Sequence, residues 1–200
     1  MDAQNDRKLS AEGLAAAASA ATKKGSAPPV HLWNPPFCGD LDMRIARDGT
    51  WFYLGSPIGR EPLVRLFSSI LKREGDRYFL VTPVEKVGIT VEDLPLHAID
   101  VENAGQGEAQ ILTLHTKTGD TVCIGPDHPI RIAFQPETGE PAPSVLVRGT
   151  ADGALWARID RKTFFRLVDF GCHAPHQGDS WFGLWSSGQF FPVMRSAELA

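Results

Sequence analysis

The sequence predicts an α+β fold with a duplicated two-lobe architecture, in which each lobe is an antiparallel sheet with one helix. Two observations predict the class: short strand-like runs separated by turn residues dominate the chain, and only two apolar patterns of helical period interrupt them. A third predicts the duplication. Asp48-Gly49, an aromatic strand, a helix containing Arg65-Leu66 and the run Gly75-Asp76-Arg77-Tyr78-Phe79 occur in order in the first half. Asp152-Gly153, an aromatic strand, a helix containing Arg166-Leu167 and the run Gly178-Asp179-Ser180-Trp181-Phe182 repeat that order, at offsets of 104, 101 and 103 residues. A hairpin, a helix, a Gly-Asp turn and a strand form a plausible supersecondary unit, and its recurrence points to two related lobes.

Residues 1–30 contain no aromatic side chain and stand apart as an alanine-rich helix and linker. Ser10 is placed to cap a helix running to about Lys23, with Gly25 beyond its end and Pro28-Pro29 preventing continuation. Its apolar face is thin (Leu9, Leu14 and alanines), so the expectation is a loosely docked or partly disordered helix. Residues 31–95 form the N-terminal lobe. Residues 43–47 alternate in polarity, Asp48-Gly49 is a strong hairpin signal, and Trp51-Phe52-Tyr53-Leu54 is the returning strand. Pro62 falls in the first turn of a helix in which Leu63, Leu66, Phe67, Ile70 and Leu71 recur at helical spacing, with Gly75 expected to stop it. Residues 78–81 read as a buried strand, Thr82-Pro83 as a bend, and 84–91 as a further strand. Residues 96–200 form the C-terminal lobe, with strands expected at 96–101, 110–117, 121–124, 130–134, 145–148 and 154–159. A short helix follows at 161–171, then a loop holding Cys172, His173 and His176, and closing strands at 181–185 and 190–193.

Composition narrows the functional classes. Glycine and proline supply 34 of 200 residues, above the usual level of about 12%, as a chain of many turns requires. The net charge of −4 is distributed as +1 over residues 1–30, −1 over 31–95 and −4 over 96–200. No basic stripe exists to neutralise phosphates, so duplex nucleic acid is not expected as a partner. No apolar window is long enough to span a membrane and no secretory leader is evident, so the sequence reads as soluble and cytoplasmic. Three widely spaced cysteines, Cys38, Cys123 and Cys172, fit reduced thiols in a chain of this size.

The candidate site residues are polar side chains of the N-terminal lobe. Extended backbone puts Asp40, Asp42 and Arg44 on one face of a strand, where they can meet a ligand or a Mg²⁺-nucleotide. The competing structural reading pairs Asp42 with Arg44 or Arg47 and makes Asp40 a turn cap. Gly55-Ser56-Pro57-Ile58-Gly59-Arg60 precedes a helix, so backbone amides and Arg60 can receive an anion, although the spacing is not that of a P-loop. Thr82, Glu85 and Lys86 supply a hydroxyl, an acid and a base, with alternation separating Glu85 from Lys86. No catalytic residue, cofactor or metal site is assigned: the histidines lack a serine or cysteine partner evident in sequence, and Cys172, His173 and His176 fall short of four zinc ligands. Trp181 and Trp185 share a strand face, suited to stacking a base or packing on a helix.

The runs Asp40-Leu41-Asp42-Met43-Arg44-Ile45-Ala46-Arg47-Asp48-Gly49-Thr50-Trp51, Gly55-Ser56-Pro57-Ile58-Gly59-Arg60, Leu63-Val64-Arg65-Leu66-Phe67-Ser68 and Leu80-Val81-Thr82-Pro83-Val84-Glu85-Lys86, with Val91-Glu92-Asp93, resemble the bacterial domain of unknown function 1285 family. The resemblance is dense from about Trp33 to Pro95 and looser through Pro192; residues 1–30 lie outside it. It implies a duplicated α+β core, a C-terminal half similar to a pleckstrin-homology fold, a nucleotide-like ligand in the cleft between halves, and a role in signal transduction without an established reaction. It brings no catalytic residues. The expectation is therefore a non-catalytic module for a small anionic, nucleotide-like ligand, with Arg44, Arg60 and Lys86 on phosphate and Asp40, Asp42 and Glu85 on ribose, base or those cations. The alternative is a metal-dependent phosphate-transfer or hydrolytic enzyme using Asp40 and Asp42, and a third reading makes these motifs structural joints.

Overall fold

A computed structural model of the chain describes residues 10–21 and 27–199. It divides into two units, the first ending at Asp93 and the second beginning at Leu94.

In the first unit, α1 (Ala11–Ala21) starts where Ser10 caps it: the Ser10 hydroxyl accepts the Gly13 N–H at 3.1 Å. Ala11, Leu14 and Ala18 are buried, and α1 packs against α2 (Glu61–Ser69). The thin face is therefore docked more closely than its composition suggests, because small alanines let the backbones approach. The expected extension to Lys23 lies outside the described residues.

Strand β1 (Phe37–Ile45) turns at Asp48-Gly49 into β2 (Trp51–Tyr53), with Ile45 opposite Trp51 and Met43 opposite Tyr53. The hairpin signal acts as expected: Gly49 takes a positive φ of 78° and the Asp48 carboxylate accepts the Thr50 N–H at 2.9 Å. After β3 (Ser56–Pro57) comes α2, which ends at Ser69, six positions before Gly75, the expected stop. Ile70 caps it, and Leu71 opens β4 (Leu71–Glu74). The pair Ile70-Leu71 satisfies a helical and a strand period alike, and pairing of Leu71 with Leu80 on β5 (Arg77–Val81) decides for the strand. Gly75, at φ 60°, closes the β4–β5 turn instead of a helix. Strand β6 (Lys86–Val91) completes a sheet of order β3-β2-β1-β6-β5-β4. Its β1–β6 pair is parallel, so the expected antiparallel sheet is mixed. Leu41, Met43, Ile45, Leu80 and Val87 form the buried face, with Phe67 of α2 stacked on Trp51 at 6.3 Å between ring centroids.

The second unit repeats the plan. Strands β7 (Leu96–Ala104), β8 (Ile111–Thr116), β9 (Thr121–Cys123), β10 (Ile130–Phe134), β11 (Pro141–Arg148) and β12 (Leu155–Ile159) form a sheet of order β10-β11-β12-β7-β8-β9. Again one pair, β12–β7, is parallel. Helix α3 (Arg161–Asp169) begins at Asp160, whose carboxylate accepts the Thr163 N–H at 2.7 Å. A three-stranded antiparallel sheet follows: β13 (Cys172–His176), β14 (Asp179–Ser186) and β15 (Gln189–Arg195). The segment Cys172–His176 is thus a strand and not a loop; its histidines and Pro175 hide a pairing that β14 imposes.

The echo in the sequence is an echo in structure. Helices α2 and α3 are nine residues each and start 100 positions apart, at Glu61 and Arg161, and Ile70 and Phe170 cap them with similar backbone angles. Each helix leads into an antiparallel three-stranded meander, β4-β5-β6 in one unit and β13-β14-β15 in the other. The protein is an α+β chain of duplicated two-lobe architecture. Among the described residues, no helix is long and apolar enough to cross a membrane. Cys38, Cys123 and Cys172 are free and exposed.

Candidate functional site

Alternation along β1 buries Leu41, Met43 and Ile45 and turns Asp40, Asp42 and Arg44 to the other face of the sheet. The register carries that face across the strands. Asp40 lies opposite Gly88 on β6, and Gly88 lies opposite Phe79 on β5, which faces Lys72 on β4. Lys86 precedes Gly88 by two residues and shares its side.

Around Gly88 these neighbours form a charged and aromatic cluster. The Arg77 guanidinium donates to the Asp40 carboxylate at 2.6 Å and lies over two rings, 5.3 Å from the Phe37 centroid and 5.1 Å from that of Phe79. Those two rings meet edge to face at 6.0 Å. The Lys86 ammonium sits 5.0 Å from the Phe79 centroid and donates to Glu74 at 2.8 Å. Lys72 reaches the other Glu74 oxygen at 3.0 Å. The hydrogen bond from Lys86, reinforced by Lys72, holds the Glu74 carboxyl below its ordinary value against the opposing effect of burial, so Glu74 is an ionised acceptor. Three cations, Lys72, Arg77 and Lys86, thus share two carboxylates, Asp40 and Glu74, which leaves one positive charge in excess. The outer part is open: the Asp40 and Arg77 side chains are 69% and 56% exposed, and Phe37 is 48% exposed.

Further along the same face Arg44 pairs with Glu92, lies 4.2 Å over the Phe52 ring, and faces Thr90 on β6. Glu92 also accepts the Arg47 backbone N–H at 3.0 Å, and these two bonds, the backbone one foremost, hold its carboxyl low. The structural alternative for Asp42 is therefore replaced: Glu92, not Asp42, takes the Arg44 and Arg47 groups. Asp42 is exposed, with no side-chain partner among the described residues. Asp40 is an ion-pair partner and not a turn cap.

The structure brings together Asp40, Asp42, Arg44 and Lys86 on one sheet face and does not add the other three. Thr82 is fully buried, and its hydroxyl accepts the Glu85 N–H at 3.2 Å, so it builds the turn into β6. Glu85 is half-buried in that turn. Arg60 stands exposed at the start of α2, the helix that covers the opposite face. Arg77, Phe37, Phe79, Glu74, Lys72 and Gly88 complete the cluster without having been singled out in the sequence. Arg77 and Phe79 alternate after the Gly75-Asp76 turn, which was the available signal. In the second unit Trp181 and Trp185 meet aromatic neighbours: His176 lies 6.1 Å from Trp181, and Phe190 lies 5.4 Å from Trp185.

Fold and site define a protein of two related α+β units, the first bearing an open charged and aromatic sheet face. Residues 28–94 match the model described as domain of unknown function (DUF1285), N-terminal domain, and residues 95–193 match protein of unknown function (DUF1285), C-terminal domain. The chain belongs to the DUF1285 family. It is similar to the crystal structure of a DUF1285 family protein from Silicibacter pomeroyi DSS-3, with 61% identity over 94% of this chain and 97% of that one and a TM-score of 0.82. A DUF1285 family protein from Shewanella baltica OS155 has 31% identity over 64% of this chain and 91% of that one, with a TM-score of 0.47. Comparison with curated proteins finds no match.

Proposed function

We propose that the first unit binds a small anionic, nucleotide-like ligand on the open face of its sheet and acts as a non-catalytic sensor in signal transduction. The observation that supports this reading is the cluster around Gly88, where Lys72, Arg77 and Lys86 outnumber Asp40 and Glu74 beside the exposed ring of Phe37. Lys72 and Lys86 share one carboxylate, so the surplus charge is ammonium charge; beside it the Arg77 fork accommodates a phosphate or carboxylate, and an exposed phenyl ring receives a planar base. Arg44 over Phe52 repeats that pairing of cation and ring on the same face. Asp42, exposed and uncommitted, suits a ribose hydroxyl.

The test is a thermal-shift series with mono-, di- and cyclic nucleotides, with and without Mg²⁺. A ligand at 100 times its dissociation constant stabilises by about 2.7 kcal/mol. The expected result is a shift with at least one anionic nucleotide that Arg77→Gln abolishes. No shift across the series overturns the reading. Turnover of the stabilising nucleotide, lost in Asp42→Asn with folding intact, decides for the enzyme alternative.

A further inference from the structure

Gly88 leaves a pit in the open face of the first sheet. It is buried, and a Cβ built on it would lie 2.0 Å from Asp40 Oδ1 and 3.0 Å from an Arg77 guanidinium nitrogen. The Asp40 carboxylate therefore occupies the space that a side chain at position 88 would fill. Phe79 flanks the pit from β5, and Lys86 shares its strand and face two residues away. The contents of the pit are one carboxylate held by one guanidinium at 2.6 Å.

Resting on the anion-binding reading above, we infer that Asp40 is an internal stand-in for the ligand: its carboxylate holds the place of the ligand's phosphate or carboxylate group on Arg77 and must leave for the ligand to bind. Three features converge on this. The Asp40 side chain is 69% exposed and that of Arg77 is 56% exposed, so the carboxylate can rotate into solvent without uncovering core. Gly88 supplies the room that an oxyanion needs above the backbone, as glycine does wherever a ligand approaches the main chain closely. The cation has neighbours besides Asp40, since its guanidinium lies 5.3 Å from the Phe37 ring centroid and 5.1 Å from that of Phe79. Carboxylate and phosphate oxygens accept from the same guanidinium fork, so the two compete for one donor set. Asp40 thereby sets a threshold: singly charged ligands gain little by displacing it, whereas a phosphate monoester or a diphosphate brings more charge than it displaces.

The experiment compares wild type, Asp40→Ala, Gly88→Ala and Arg77→Gln by isothermal titration with AMP, ADP, cyclic AMP and inorganic phosphate, folding of each being checked by circular dichroism. Freeing Arg77 from an exposed pair and removing a like charge beside the anion should tighten the Asp40→Ala dissociation constant by about five- to tenfold. In Gly88→Ala the new methyl group fills the pit and weakens binding, and Arg77→Gln abolishes it. Binding by wild type that is unchanged or weaker in Asp40→Ala overturns the stand-in role and leaves the anion-binding reading intact. Absence of binding in both wild type and Asp40→Ala overturns both.

Discussion

Asp40 and Gly88 face each other on parallel neighbouring strands, and the carboxylate of the first fills the space left by the absent side chain of the second. The Asp40–Arg77 pair thus spans β6 to join β1 to β5. Because the obstructing atom is the end of an exposed, rotatable side chain, Gly88→Ala costs little: the displaced surface pair is worth about 0–1 kcal/mol, offset by the lower entropy of alanine in the unfolded chain. Urea unfolding should place the variant within about 1 kcal/mol of wild type.

Gly183 provides the contrast. A Cβ there would lie 2.5 Å from the Phe191 carbonyl oxygen and 2.5 Å from the tip of the Phe190 ring. Backbone in a paired strand cannot step aside as Asp40 can. Gly183→Ala is expected to destabilise the second unit by about 1–3 kcal/mol, measured by the same unfolding. Equal effects of the two glycine substitutions would contradict this account.

Ser186, fully buried, ties the two sheets of the second unit together. Its hydroxyl donates to the Ile124 carbonyl at 2.7 Å and accepts the Leu112 N–H at 3.0 Å. Gln110 works beside it, donating to the carbonyls of Trp185 at 2.7 Å and Phe170 at 3.2 Å. Ser186→Ala takes the hydroxyl acceptor from the buried Leu112 N–H, while the Ile124 carbonyl keeps the Ser187 hydroxyl at 2.9 Å, and should cost about 1–3 kcal/mol. A fall of the denaturation midpoint with an unchanged slope is the expected signature.

Thr163 shows the reverse case. Its side-chain hydroxyl is fully buried in α3 and has no hydrogen-bond partner among the described residues, while its backbone N–H is taken by Asp160. Replacing the hydroxyl with a methyl group of similar shape removes an uncompensated desolvation cost. Thr163→Val should leave stability unchanged or raise it by up to about 1 kcal/mol, whereas Asp160→Ala, which removes the cap, should lower it by about 1 kcal/mol.

Acid should weaken the first unit through Glu74. Its carboxyl is held below the ordinary value of 4.5, chiefly by the hydrogen bond from Lys86 and further by Lys72. A group with a lowered folded value contributes stability above its unfolded value and loses it as pH falls through the folded one. Glu92, held by the Arg47 N–H and by Arg44, acts in the same direction in the first unit, and Asp100, held by Arg166, does so in the second. Stability from urea unfolding should hold near neutral pH and decline below 4.5, and Glu74→Gln should flatten part of that decline. An identical acid limb in the variant would show that the Lys86–Glu74–Lys72 bridge contributes nothing.

The elements legible in the sequence were those with a local cause. Ser10 and Asp160 accept amide protons of their own first helical turns, and Asp48-Gly49 closes a hairpin between adjacent strands. Period-two alternation placed Asp40, Asp42 and Arg44 on one face correctly. What failed did so where two periods coincide or where the partner strand is distant. Ile70-Leu71 fits a helix and a strand equally, and Cys172–His176 carries no apolar alternation until β14 pairs with it. The charged partners failed for the same reason, since alternation on β1 says nothing about which strand lies beside it.

The sequence by itself determined the α+β class, the repetition of a helix and its following hairpin at a spacing of about 100 residues, and the side of β1 that faces outward. These rest on local propensity and on periodicities of 2 and 3.6 residues, which a single strand or helix carries within itself. The tertiary structure alone decided that β6 lies between β1 and β5, parallel to the first and antiparallel to the second, that Arg77 crosses above Gly88 to reach Asp40, and that Glu92 rather than Asp42 holds Arg44. Those depend on strand order and register between segments 37 to 48 residues apart. The burial of both lobes' apolar faces selects that order, and no single segment encodes it.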